Sequence, residues 1–128
     1  MSVRQDVVVY VAGPISRGPL THNIEQACHA GMALLKAGLS PHVPQLTCFM
    51  GMRPYPGGGG YFYPEVLPCG TVHEDWYEMD LAFVRRSDCV LRLPGESTGA
   101  DLEVAEAVKG GIPVFYTVEA VLAWAEGR

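Results

Sequence analysis

The run Asp6-Val-Val-Val-Tyr-Val-Ala12 constrains this chain's fold more than any other segment. An unbroken β-branched and aromatic stretch, with no polar alternation, is what a strand covered on both faces requires, and this one stops at Gly13-Pro14. Similar runs follow at Cys89 to Leu93 and Ile112 to Tyr116, with a shorter one at Ser40 to Pro44. Segments of helical period separate them. Ile24, Ala27, Cys28, Met32, Leu34 and Leu35 follow a cap at Thr21 or Asn23 and end at Gly38. The Thr71-Val-His-Glu74 capping box opens a second helix to about Ser87, with Trp76, Met79, Phe83 and Val84 as its apolar face. A third helix spans Gly99 to Lys109 and a last one starts near Thr117. Parallel neighbours need crossover connections, so this alternation predicts an α/β chain with a parallel sheet and helices on both faces.

With 128 residues, 48% of them apolar, the chain suits a single domain over 1–128 with one ordinary core. The formal net charge of −5 and nine scattered basic residues exclude a nucleic-acid polymer as partner and point to a small molecule. Residues 1–12 hold an apolar run of only about six residues, so neither a signal peptide nor a membrane span is expected and the location should be cytoplasmic. Cys28, Cys48, Cys69 and Cys89 form no C-x-x-C pair and read as free, mostly buried thiols; no metal or cofactor is expected.

Ligands of such sheets bind beyond the carboxyl ends of the strands, where three connections converge. These are the Gly13-to-Gly18 loop, the long Gly- and Pro-rich stretch over 45–70, and the Pro94-to-Gly99 turn. Tyr55, Tyr61, Phe62 and Tyr63 flank a tetraglycine in the second, and form either a lid that stacks on a base or a plain solvent loop. In the third helix Glu103 has Gly99, Ala100 and Ala107 around it, which leaves room for a ligand to reach its carboxylate. Asp101 and Glu106 point to other sides of that helix. The alternative is that all three acids only complement the helix dipole. Asp80, four residues from both Trp76 and Val84, sits at the edge of an apolar face where an unpaired carboxylate is costly. Two carboxylates in one desolvated cleft have their pKa values pushed apart, which suits a nucleophile and an acid at an anomeric carbon.

Three segments together carry a resemblance: Tyr10-Val-Ala-Gly-Pro-Ile-Ser-Arg17, Asp80-Leu-Ala-Phe-Val-Arg-Arg-Ser-Asp88-Cys-Val-Leu, and Ser97-x-Gly99-x-x-x-Glu103-x-x-x-Ala107 with Gly111-Ile-Pro-Val-Phe115. Over nearly its whole length the chain resembles the nucleoside 2-deoxyribosyltransferase superfamily, and within it a subgroup with the Leu-Pro-Gly-Glu-Ser turn of Leu93 to Ser97. The resemblance implies a flavodoxin-like, Rossmann-like three-layer sandwich with a central parallel sheet of four to five strands. It implies either base exchange on 2′-deoxyribonucleosides or hydrolysis of the N-glycosidic bond of nucleoside 5′-monophosphates. By position, Glu103 matches the nucleophile, Asp80 the acid that protonates the departing base, and Tyr10 the residue that orients the nucleophile. Gly13, Ile15 and Arg17 match positions enclosing sugar and base; Ser97 and Gly99 match a phosphate-holding turn. Acidic Glu96 and Asp101 depart from that turn's pattern. Arg92 restores the balance if it reaches the cleft, and otherwise pairs with a neighbouring acid. The superfamily also implies a homodimer or higher homo-oligomer, here through the apolar surface around Trp76 and Phe83, with Trp124 a further candidate, unless Trp76 and Phe83 are ordinary core. The rival reading is a non-catalytic nucleotide-binding or sensing module.

Overall fold

The computed structural model describes residues 6–15, 17–62 and 73–128. Its elements are β1 (Val8–Ala12), α1 (Leu20–Lys36), β2 (Ser40–His42), a 3-10 helix (Pro44–Gly51), β3 (Arg53–Pro54), β4 (Tyr61–Phe62), α2 (His73–Arg85), β5 (Cys89–Arg92), α3 (Thr98–Lys109), β6 (Val114–Phe115) and α4 (Val118–Glu126). Strands β2, β1, β5 and β6 form, in that order, one parallel sheet of four. The helices cover both its faces, giving the α/β flavodoxin-like sandwich. Among the described residues no helix is long and apolar enough to cross a membrane.

Successive side chains of a strand serve opposite layers. Val9 and Val11 therefore pack with Ala27, Ala30 and Leu34 of α1 and Val121 and Ala125 of α4. Tyr10 and Ala12 join Val84 of α2 and Ala100 and Ala107 of α3 in a second core. This parity puts the one aromatic residue of β1, fully buried, on the α2–α3 side. The chain leaves β1 for β2 on one side and returns as β5 on the other, so a crevice opens beyond the carboxyl ends of β1 and β5.

Two expectations are corrected. Neither Thr21 nor Asn23 caps α1: Pro19, with φ −65°, stands at the N-cap without a side-chain bond. Asn23 is instead buried and turned onto the preceding loop. The stretch after β2 is built rather than loose over 44–62. Pro44 opens the 3-10 helix and Thr47 Oγ1 donates to its carbonyl at 2.6 Å. Gly58, Gly59 and Gly60 then take φ of +83°, +86° and +132°, which side chains resist, and the tip closes with Tyr55 N–H on the Gly60 carbonyl at 3.0 Å. The flanking aromatics pack on each other, Phe49 edge-on to Tyr61 and Tyr55 against Phe62. Trp124 packs on Phe115 at 5.5 Å and lies under the Arg128 guanidinium at 4.6 Å. Cys28, Cys48 and Cys89 are free, and the last two are buried. Tyr63, Cys69 and the Thr71 end of the capping box lie outside the described residues.

Candidate active site

The crevice beyond β1 and β5 holds a cleft of about 240 Å³. One wall is Gly13, Ile15 and Arg17 of the first loop, another is Tyr77 and Asp80 of α2, and the start of α3 contributes Ser97 to Ala100 and Glu103. Pockets for drug-sized ligands run to roughly 300–1,000 Å³, so this cleft suits a small ligand or part of a larger one. Gly13 is dictated by close approach: a Cβ there would stand 3.2 Å from both Gln45 Nε2 and Leu93 Cβ.

Helix α3 is started by Ser97, whose Oγ accepts from the Ala100 amide at 3.0 Å. Glu103 follows one turn beyond Gly99 and is 7% exposed. The Tyr10 hydroxyl donates to Glu103 Oε2 at 2.6 Å in a buried contact, because strand parity carried the ring to this side. Burial raises the Glu103 carboxyl to about 7; the Tyr10 hydrogen bond and Arg92 oppose the shift, and the Asp80 charge adds to it. Burial, with the Glu103 and Asp80 charges, pushes the Tyr10 phenol far above its ordinary range, so Tyr10 stays a donor. Asp80 is 8% exposed, and burial raises it to about 6. Its Oδ1 has no hydrogen-bond partner among the described residues. A carboxyl oxygen left bare in this way is costly for folding and available to a ligand.

The remaining residues divide. Gly13, Ile15, Arg17, Ser97 and Gly99 all line the cleft. The Ser97 hydroxyl is already engaged as the α3 cap, and the Arg17 guanidinium lies 3.1 Å from Glu96. Arg92 is not brought to the cleft lining. Its guanidinium pairs with Asp101 at 3.0 Å and donates to the Leu93 carbonyl, in a neighbouring groove with Tyr116. The paired-acid alternative thus describes Arg92, and Asp101 with it faces away from Glu103. Glu106 sits 3.9 Å from Arg85 of α2.

Several residues near the cleft escape sequence reasoning. Tyr77 is three residues before Asp80, hence on the same face of α2, and that spacing was the available signal. Gln45 is fully buried beside Gly13, and neither its Oε1 nor its Nε2 has a partner among the described residues. Nothing local singles it out, since only the fold brings 45 against 13. His42 is in register with Tyr10 across β1 and β2 and stacks on Phe83 at 4.1 Å. Burial lowers its pKa, which keeps that ring neutral.

No protein-family model matches the sequence, and no curated protein matches it. Among solved structures, the chain is similar to the 2-deoxyribosyltransferase characterised from the psychrotolerant bacterium Bacillus psychrosaccharolyticus, a biocatalyst for nucleoside synthesis. The two superpose with a TM-score of 0.59 over 84% of this chain and 69% of that one, at 18% sequence identity. The fold is therefore nucleoside 2-deoxyribosyltransferase-like.

Proposed function

We propose that this chain cleaves or transfers at the N-glycosidic bond of a (2′-deoxy)nucleoside, through a glycosyl-enzyme intermediate on Glu103. The observation that carries the reading is the buried 2.6 Å bond from Tyr10 to Glu103, at the wall of a cleft that Asp80 shares. The Glu103 carboxylate attacks C1′, the C1′–N bond breaks with its electron pair going to the base, and Asp80 supplies the proton the base takes. Asp80, now a carboxylate, accepts a proton from water or a second base as that acceptor attacks C1′ and frees Glu103. Tyr10 holds Glu103 in the attacking orientation throughout. A fold shared with a deoxyribosyltransferase supports this reading. A non-catalytic sensing module is favoured by Asp101 and by the long stretch over 45–70; Asp101 pairs with Arg92, which leaves the cleft to the two raised carboxyls. Base release from a panel of nucleosides and their 5′-monophosphates, followed chromatographically, tests the reaction; a panel left intact by the wild type would end it.

Charge favours a neutral nucleoside over its monophosphate. Among the described residues lining the cleft the cation is Arg17, which Glu96 holds, while Asp80 and Glu103 are acids. A dianionic phosphate must displace Glu96 and then lie beside it. Glu96→Gln is expected to raise the monophosphate-to-nucleoside ratio of kcat/KM about threefold, a modest value because the pair is exposed. An unchanged ratio would mean that Glu96 does not govern the choice.

A homodimer belongs to the same proposal, with α2 as the contact through exposed Phe83 and half-buried Trp76. A two-fold axis would make that contact isologous. Sedimentation at micromolar concentration should find a dimer whose specific activity drops on dilution, whereas a fully active monomer refutes a shared site.

A further inference from the structure

We infer that Asn23 is the positioning residue that holds the first loop in its cleft-lining conformation; only the kinetic arm of its test rests on the proposed reaction. An asparagine is a weak helix former, yet this one lies inside the first turns of α1 and is 4% exposed. Its carboxamide accounts for that placement. Nδ2 donates to the Ile15 carbonyl at 3.0 Å and to the Arg17 carbonyl at 2.6 Å. Its backbone N–H donates to the Pro19 carbonyl at 3.1 Å, so helix and loop are tied at both the main chain and the side chain.

One nitrogen thus ties two carbonyls, two residues apart, to the first turns of α1. Ile15 and Arg17 both line the cleft. An amide nitrogen is suited to this task because it carries two donors at one atom. Aspartate has the same size but offers none when ionised, and it would set a negative charge against two carbonyl oxygens. Asn23 touches no reacting group; it acts through the positions of Ile15 and Arg17.

The test compares wild type with Asn23→Asp in two readouts. The first is tryptic cleavage of the Arg17–Gly18 bond in the native protein, relative to cleavage after Lys36 and Lys109, which global destabilisation would accelerate equally. The second is steady-state turnover of a nucleoside. Release of the loop should speed the Arg17 cut at least about tenfold over the other sites, and raise KM about tenfold with kcat within about threefold. Unchanged relative cleavage with unchanged KM overturns the inference, and so does a fall in kcat at constant KM. Should Asn23→Asp fail to fold, Asn23→Ala is read by the same two criteria. A wild type that turns over no nucleoside removes the proposed reaction alone, and the cleavage ratio then decides whether Asn23 holds the loop.

Discussion

Replacing Glu103 by glutamine is expected to abolish base release, by at least about 1,000-fold, and to make the protein more stable above neutral pH. The first effect follows from the proposed nucleophile: a carboxamide cannot form the glycosyl ester. The second follows from burial. The Glu103 carboxyl, 4.5 in its unperturbed state, is raised to about 7 in the fold. Below its unfolded pKa both folded and unfolded chains hold the proton, and the group contributes its full stability. As pH rises through about 7 the unfolded chain has long ionised while the folded one must expose a charge to a dry site, so that stability is lost. The shift corresponds to roughly 3 kcal/mol. Glutamine keeps the shape and an acceptor for Tyr10 without the charge. Melting at pH 8 should therefore occur roughly 5–10 °C higher than in wild type, and near pH 4 the gain should vanish. Base release within tenfold of wild type would refute the nucleophile, and a pH-independent melting difference would refute its desolvation.

For Asp80→Asn the expected result is a rate lower by about 100- to 1,000-fold with a changed pH profile. The reacting pair needs Glu103 ionised and Asp80 protonated, so the competent enzyme carries one proton on the two carboxyls. With Asp80 raised to about 6 and Glu103 to about 7, the wild-type profile should be a bell with limbs at those values. The competent form, with the proton on Asp80, is the one of the two singly protonated arrangements in which Glu103 is charged. The Tyr10 hydrogen bond works in favour of that form, because it stabilises the Glu103 carboxylate. Asparagine removes the proton donor and hence the alkaline limb. It also removes the charge that helps raise Glu103, so the one limb that remains is the Glu103 ionisation, below about 7. Rates at pH 5 to 9, measured under single-turnover conditions, decide this. A profile unchanged in height and shape would make Asp80 a structural residue.

Much of the site can be read locally because helices and strands have fixed periods. Glu103 follows Gly99 by one turn in any helix that begins at Ser97, and Tyr10 takes the opposite face from Val9 and Val11 in any strand through them. The glycine, isoleucine and arginine of the first loop follow a strand end, where a parallel sheet puts its ligand. The misread residues are polar side chains with several partners within reach. Asn23 is a good helix cap by composition, but the loop returning over α1 offers it two carbonyls, and two bonds outweigh one. Arg92 could extend to the cleft, yet Asp101 stands nearer on the adjacent helix. The tetraglycine stretch reads as loose because glycine carries no packing signal, whereas the Phe49–Tyr61 and Tyr55–Phe62 contacts order it.

What the sequence by itself determined is therefore the alternation of the main strands and helices, the parallel sheet they form, and the places of Glu103 and Asp80 in their helices. Each depends on spacing within one element. Only the tertiary structure decided that Tyr10 reaches Glu103, that Asp80 is buried with a bare oxygen, that Gln45 lies under Gly13, and that Arg92 turns to Asp101. Those facts join residues far apart in the chain. Distance across a fold, and the water excluded there, set both their contacts and their proton affinities, and no local period encodes either.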